Sequence, residues 1–236
     1  VIISDDASKD DTVKIIKNFI KKNYLEEKWT FLISSKNLGI VGNHKKCFNM
    51  INGDIFIGMA GDDISLPNRT LITEKLFKEN QIISGIATSG FKISETGKEL
   101  GEINLTDKKL INNIKHPIKI GFAGVCPVGC AFRRKIIDSF NNLNNFTTNE
   151  DDQLILLTIL DGGIICSKEK TFKYRIHNLS ASSWLRDLNY DKYICFYFKD
   201  IENRINNFRN WIQLLEIYGE FSFEKNFLKN KIKVYK

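Results

Sequence analysis

Apolar and polar positions alternate along the first 80 residues in blocks that predict a strand followed by a helix, three times over. Each predicted strand is a short apolar run, and each predicted helix carries apolar residues at helical spacing. This order is typical of an α/β protein with a mostly parallel sheet. The predicted strands are 1–4, 29–34 and 54–59, and the predicted helices are 13–20, 44–51 and 67–80, with a Gly/Asn loop at 37–43.

The pattern changes in the second half of the chain. A strand and a hairpin turn are followed by a less regular stretch, then by an apolar helix and another strand. From residue 190 onward, aromatic and apolar residues recur at helical spacing with basic residues between them. The segments are a strand at 86–94, a turn at 95–98, a polar helix and loop at 104–118, a Gly-rich apolar segment at 121–132, a helix at 133–140, an Asn-rich mobile loop at 141–149, a helix at 153–160 and a strand at 164–174.

Composition and charge narrow the class of protein. The 236 residues are 42% hydrophobic, which suffices for one sizeable core, and no apolar stretch reaches the roughly 18 residues of a membrane span. We interpret the net charge of +7 mainly as a lysine-rich surface, with a share available to anionic ligands or an acidic membrane face. Nucleic acid is not an expected partner, because no basic block is interleaved with aromatics.

The five cysteines predict free thiols. Their number is odd and their spacing scattered, and the pair Cys126 and Cys130 has no second ligand pair nearby. A zinc site is therefore not expected, and free thiols in a reducing compartment are the simplest interpretation.

Two acidic pairs follow predicted strands: Asp5 with Asp6, and Asp62 with Asp63. Ligands of parallel α/β sheets bind beyond the carboxyl ends of the strands, so both pairs are expected to face one crevice. Adjacent carboxylates at a sheet end repel each other and lose hydration. A divalent cation that holds a phosphate would offset this cost. Turn and capping chemistry is the alternative for Asp5 and Asp6.

A third acidic cluster, Glu150, Asp151 and Asp152, begins the predicted helix after the Asn-rich loop. Acidic residues at a helix start also complement the helix dipole, so a purely structural role is the alternative for this cluster.

The acidic pairs and the acidic cluster belong to a series of short segments spread over residues 1–183. The segments are 1–10, Asn37 with Gly39, 53–57, 61–69, 129–134, 150–154 and 174–180. In order, they resemble the motifs of family 2 glycosyltransferases, which have the GT-A fold. The resemblance implies a Rossmann-like, mostly parallel central sheet flanked by helices, with residues 184–236 as a helical C-terminal extension. The family's usual first strand has no counterpart, and the chain opens inside a strand without an initiator Met, so we expect an N-terminal segment to be missing.

The resemblance also implies roles for single residues. The donor nucleotide would be bound by Asp6 at its base, typically uracil, with Asp5, Asn37 and Gly39 nearby, and by Asp62 at its ribose. Asp63 would bind Mn²⁺ or Mg²⁺ at the diphosphate. Ala60 stands where the family often has a further Asp, so Asp62, His177 or the diphosphate must complete the coordination. A structural role is the alternative for His177.

The catalytic base implied by the resemblance is Asp151. Asp152 is the alternative, because with three acidic residues in a row either aspartate can be aligned with the family's base. The reaction implied is inverting transfer of a hexosyl or N-acetylhexosaminyl group from a nucleotide-diphospho-sugar, typically UDP-linked, to a glycan or lipid-linked saccharide.

The setting that the resemblance implies is surface polysaccharide synthesis in the cytoplasm, at or near the inner face of the membrane. A peripheral membrane contact of the extension is allowed by the basic residues among its aromatics, which are Arg186, Lys192, Lys199, Arg204 and Arg209. The oligomeric state is not predicted. Two other functions stay open: a degenerate, non-catalytic nucleotide-sugar-binding module, and a metal-dependent phosphodiesterase.

Overall fold

The protein is described here by a computed structural model that covers residues 1–115, 125–141, 150–177, 190–219 and 221–235. Strands and helices alternate through the first third, as the apolar pattern predicts. The strands are β1 (Ile2–Asp5), β2 (Thr30–Ile33), β3 (Ile55–Ile57), β4 (Ile64–Ser65), β5 (Gly85–Ser94), β6 (Glu99–Ile103), β7 (Leu110–Ile111), β8 (Cys130–Arg133) and β9 (Ile164–Ile176). The helices are α1 (Thr12–Lys22), α2 (Gly39–Phe48), α3 (Arg69–Glu79), α4 (Arg134–Asn141), α5 (Glu150–Leu160), α6 (Tyr190–Tyr218) and α7 (Ser222–Tyr235).

The strands form a parallel pair, β1 with β2, and a larger mixed sheet in the order β3-β8-β5-β9-β4, with β6 added to β5 and β7 added to β9. The longest ladder joins β5 and β9 in parallel, whereas the short strands pair antiparallel with their neighbours. The predicted α/β class is confirmed, and so is a parallel pairing at the centre. The strands on either side of this pair run antiparallel to their neighbours, and the apolar runs of the sequence do not indicate that direction.

Helix α5 lies in the middle of the core. Its residues from Gln153 to Ile159 are all buried, although only the apolar ones belong to the main hydrophobic cluster. Helices α6 and α7 close the same cluster with Phe208, Trp211 and Leu228. Phe208 and Trp211, two of the aromatic residues that recur at helical spacing in the extension, are therefore core residues. Among the helices described, none combines the length and hydropathy needed to cross a bilayer.

Some predicted boundaries are wrong. Helix α2 begins at Gly39 rather than at residue 44, because Gly39 takes a φ of +74° that lets the chain turn directly from the loop into the helix. The segment 104–118, predicted as a polar helix and loop, contains the short strand β7. Arg133, predicted to begin a helix, belongs instead to β8.

Arg133 illustrates what that shift means for its side chain. Its guanidinium donates to the carbonyl oxygens of Ile83 (2.8 Å) and Gln81 (3.1 Å) and lies 4.8 Å over the Phe77 ring. It therefore fastens the end of α3 to the sheet.

Several predicted features lie outside the described residues. They are the Asn-rich loop at 142–149, residues 121–124 of the Gly-rich segment, Ser180 of the closing motif, the domain boundary at 183, and Trp184 and Arg186 of the extension.

Candidate active site

The first part of the site is the acidic pair Asp62 and Asp63, in the turn between β3 and β4. Asp63 is 8% exposed, and its Oδ1 accepts a hydrogen bond from the backbone N–H of Arg175 at 2.8 Å. Burial raises the pKa of this carboxyl, the Arg175 N–H opposes the rise, and the charge of Asp62 adds to it. Asp62 is more open, and its Oδ2 lies 2.9 Å from Nε2 of His177. The structure thus brings His177 into contact with Asp62, while the neighbouring Asp63 is held by the backbone of Arg175.

Arg175 braces this turn. Its Nε donates to the carbonyl oxygen of Asp62 at 2.7 Å, and its Nη1 donates to the carbonyl oxygens of Ser94 (3.1 Å) and Glu95 (2.7 Å). One side chain at the end of β9 therefore ties the acidic turn to the β5–β6 hairpin. Its backbone fixes Asp63 at the same time.

Replacing Arg175 by glutamine is expected to lower the free energy of unfolding by about 2 kcal/mol, because three hydrogen bonds from a charged donor, two of them partly buried, are lost. Urea denaturation measures this loss. Lys173→Gln is the matched control, since it removes one positive charge from the same face of β9 without the three bonds to the turn. Equal stability of the two variants would contradict the bracing role.

The donor set of Asp62, Asp63 and His177 fits a divalent cation chemically. Carboxylate oxygens suit Mg²⁺ and Mn²⁺, and imidazole nitrogen suits Mn²⁺ and softer ions. The contact between Asp62 and His177 already places one oxygen and one nitrogen ligand side by side. Within the described ranges, no three His, Cys, Asp or Glu side chains converge on a single point, so the protein groups alone do not complete a coordination sphere.

A second cluster lies at the end of β1. The buried Asp5 accepts a hydrogen bond from the backbone of Ser8 (3.0 Å), which is the turn chemistry considered as its alternative. Asp6 reaches further: its Oδ1 accepts from the backbone N–H of Leu38 at 2.7 Å. Asn37 in turn accepts from the N–H of Gly39 at 2.8 Å. The structure therefore brings Asp6 together with the Asn37–Gly39 loop, as predicted.

The third part is the first turn of α5. Burial raises the pKa of Asp151 to about 7, with further contributions from the charges of Asp152 and Glu150. A carboxyl with such a pKa can accept a proton near neutrality. Asp152 points elsewhere, because its Oδ2 accepts from Nδ2 of Asn207 on α6 at 3.4 Å. Of the two candidate bases, Asp151 is the one that is not held by the C-terminal helix.

The charges of Asp63 and Asp151 both act on the thiol of Cys126. Burial raises the pKa of this thiol, and both charges add to the rise. The buried Arg69 donates through Nη2 to the carbonyl oxygens of Gly58 (3.2 Å) and Val128. Its positive charge acts on Asp63 and Cys126.

The nucleotide-side cluster also approaches α5. Helix α2 carries His44, whose Nδ1 lies 3.4 Å from Oε1 of Glu150. The loop held by Asp6 and the helix that carries Asp151 are therefore joined through α2. The four described cysteines are free, as predicted, and burial raises the pKa of each, which makes them poor nucleophiles.

Sequence reasoning missed three residues of this region. Arg175 stands inside a quoted segment, two positions before His177, and that position is the only signal for it. Cys126 and Asn207 carry no sequence signal, because their relevance comes from tertiary contacts.

Comparison with known proteins gives both a family and a fold. The sequence profile of the family described as Glycosyl transferase family 2 matches residues 1–140. No curated protein sequence matches significantly. Two crystal structures of S. aureus TarS are similar. The structure of TarS 1–349 has a TM-score of 0.59 at 11% identity and covers 100% of this chain and 79% of that one. The other has a TM-score of 0.56 at 12% identity and covers 100% of this chain and 48% of that one.

A third similar structure is the mannosyltransferase PcManGT from Pyrobaculum calidifontis in complex with GDP-Man and Mn²⁺. Its TM-score is 0.55 at 8% identity, with 99% of this chain and 65% of that one covered. The chain thus spans about half of one TarS structure and just under two-thirds of the mannosyltransferase. At these identities the likeness concerns the fold, which is GT-A.

Proposed function

Since the chain belongs to glycosyl transferase family 2 and is therefore a glycosyltransferase, we propose that it transfers a hexosyl or N-acetylhexosaminyl group from a nucleotide-diphospho-sugar to a hydroxyl acceptor with inversion at the anomeric carbon. The observation that carries this proposal is the acidic turn, in which Asp63 is buried and the carboxylate of Asp62 lies 2.9 Å from Nε2 of His177. Asp151, whose pKa is about 7, would supply the proton-accepting carboxylate.

The chemical step assigns Asp151 the role of general base. It removes the proton of the acceptor hydroxyl while that oxygen attacks the anomeric carbon. The new carbon–oxygen bond forms as the bond to the diphosphate oxygen breaks, and the diphosphate leaves with the electron pair. Asp151 ends the step protonated, which its pKa of about 7 makes easy. A single displacement of this kind inverts the configuration.

The other residues bind and orient the donor. Asp62, Asp63 and His177 would hold Mn²⁺ or Mg²⁺, and the bound cation neutralises the charge that builds up on the leaving diphosphate. Asp6, with Asp5 beside it, fixes the Asn37–Gly39 loop, whose N-terminal position on α2 suits the nucleoside side of the donor. We propose UDP as the nucleotide. The GDP-Man in the mannosyltransferase complex makes GDP the first comparison.

We further propose a glycan or lipid-linked saccharide as acceptor, used on the cytoplasmic side of the membrane during surface polysaccharide synthesis. The exposed Lys229 and Lys233 of α7 would suit the anionic surface on which such an acceptor is presented.

A nucleotide titration tests the proposed function. Thermal unfolding is followed with UDP, GDP, ADP and CDP, each with and without Mn²⁺. At about 100 times the dissociation constant, the matching nucleotide is expected to stabilise the protein by about 2.7 kcal/mol, or roughly 5–10 °C for a chain of this size, and only when Mn²⁺ is present.

Three outcomes separate the candidate functions. Metal-dependent stabilisation followed by sugar transfer to an added saccharide supports the transferase. Stabilisation without turnover of any nucleotide-sugar favours the non-catalytic binding module, and phosphodiester hydrolysis without an acceptor favours the phosphodiesterase. Absence of any response to all four nucleotides would overturn the proposal.

A further inference from the structure

The long helix α6 meets the first turn of α5 through polar side chains. Asn207 accepts a hydrogen bond at its Oδ1 from Nε2 of Gln153 (3.3 Å) and donates from its Nδ2 to Oδ2 of Asp152 (3.4 Å). Asp152 and Gln153 directly follow Asp151 in the chain. A single amide from the C-terminal helix therefore holds the two residues next to the proposed base.

This polar contact is set in an apolar surrounding. Gln153 is 0% exposed, and Asn210 and Trp211, one turn after Asn207, are 1% and 3% exposed. Leu214 and Leu215 continue the same helix into the hydrophobic core. Buried amide groups in such a place require hydrogen bonds, and losing one partner costs about 1–3 kcal/mol.

Packing alone does not account for these residues. A seam of leucine side chains would join α5 and α6 without the desolvation cost of three amides, and the rest of both helices uses that solution. Indeed Gln153 Oε1, Asn210 Nδ2 and Trp211 Nε1 have no hydrogen-bond partner within the described part of the chain. Buried polar groups lose hydration free energy on folding, but in some proteins they stabilise one arrangement of packed helices over the alternatives.

We propose that Asn207 is a positioning residue, which holds Asp152 and Gln153 against α6 and thereby directs Asp151 into the site, so that the C-terminal helix is part of the catalytic apparatus. This inference rests on the proposed function, because it takes Asp151 as the base. It also gives a reason for assigning the base to Asp151 and not to the adjacent Asp152, whose carboxylate accepts a hydrogen bond from Asn207 of α6.

The pKa of Asp151 reports whether the first turn of α5 keeps its position. The groups that face Asp151 are Glu150 and Asp152 on its own helix and the thiols of Cys126 and Cys130. Burial is the main reason that its pKa is high. If the first turn of α5 loosens, water reaches the carboxyl and the pKa falls toward that of an ordinary aspartate.

The experiment compares Asn207→Leu with Asn206→Leu in the full chain. Asn206 is the matched control because it is the same residue type on the same helix, and within the described part of the chain its Oδ1 accepts from Arg209, also on α6, at 3.1 Å. Two readouts need no substrate: hydrogen exchange of the backbone amides of 151–153, and the titration of Asp151 followed by ¹³C NMR of the carboxyl carbon, assigned with Asp151→Asn.

In Asn207→Leu, amide exchange at 151–153 is expected to rise about tenfold and the Asp151 titration to move down by about one pH unit, while Asn206→Leu stays like wild type. Identical exchange and titration in both variants would overturn the proposal. If leucine prevents folding, Asn207→Ala replaces it with the same two readouts.

Kinetics then separate positioning from simple stability. With the nucleotide-sugar found in the titration, Asn207→Leu is expected to lower kcat about tenfold at unchanged KM for the donor, since the donor contacts lie elsewhere. Failure of the proposed function would show as a wild type without nucleotide binding. Failure of this inference would show as a wild type that binds and an Asn207 variant that behaves like its control.

Discussion

Asp151→Asn is expected to lower the rate of sugar transfer by about 10³-fold, because an amide cannot take the proton of the acceptor hydroxyl. Binding of Mn²⁺ and nucleotide should stay as in wild type, since the residues proposed to bind them lie at the ends of β1 and β9 and in the turn between β3 and β4. Steady-state transfer rates and the nucleotide-dependent thermal shift measure the two halves of this prediction. In wild type the rate should fall below about pH 7, where Asp151 becomes protonated.

Asp151→Asn should also change how the free energy of unfolding depends on pH. The folded protein holds a proton on Asp151 up to about pH 7, whereas an unfolded aspartate releases it near 3.8. Between these values the folded state binds more protons, so this group makes stability fall as pH rises. Asp151→Asn removes that dependence and should raise the free energy of unfolding above pH 7 by up to about 4 kcal/mol, at roughly 1.4 kcal/mol per pKa unit.

Asp152→Asn is the matched control, because it removes a neighbouring carboxylate and keeps an oxygen that Asn207 can reach. It should retain most of the activity and show no comparable gain in stability. Inactivation by Asp152→Asn together with an active Asp151→Asn would reverse the assignment of the base.

Asp63→Asn is expected to abolish the Mn²⁺-dependent thermal shift by nucleotide, a loss of roughly 5–10 °C. The substitution removes the charge that would hold the cation and keeps an oxygen for the Arg175 N–H, so the turn itself should persist. The measurement is the thermal unfolding series with and without Mn²⁺. Sugar transfer should be lost together with this thermal shift.

Asp138→Asn serves as the control of equal charge. Asp138 is an exposed carboxylate on α4 that pairs with Arg134 at 3.8 Å, and it lies outside the proposed site. Its variant should respond to nucleotide like wild type. A full nucleotide response in Asp63→Asn would show that the cation, or the nucleotide, is held elsewhere.

The parts of this protein that could be predicted from sequence are those encoded locally. Alternating apolar runs predict α/β order, and the resemblance to family motifs places Asp62, Asp63 and His177 at one site. Strand direction was harder: β4 and β7 are two residues each, too short to carry a periodic signal. The early start of α2 depends on the positive φ of Gly39, which a Gly/Asn-rich loop allows but does not require.

The supporting contacts could not be predicted, for a different reason. The guanidinium of Arg175 binds backbone carbonyl oxygens, which every residue possesses, so no partner residue type marks the contact. Asn207 lies 55 positions from Asp152, and only the packing of α6 on α5 brings them together. The distinction between Asp151 and Asp152 depends on that packing.

The brace at Arg175 has a consequence for the order in which the site can form during synthesis. Asp63 leaves the ribosome 112 residues before Arg175, and Asp62 leaves it 115 residues before His177. Until β9 emerges and pairs with β5, the acidic turn has neither its backbone donor nor its histidine. A nascent chain that has completed only the region matched by the family profile, residues 1–140, therefore carries Asp62 and Asp63 without the contacts that shape their turn. Under the proposed function, we expect metal capture to be a late event in the maturation of this protein.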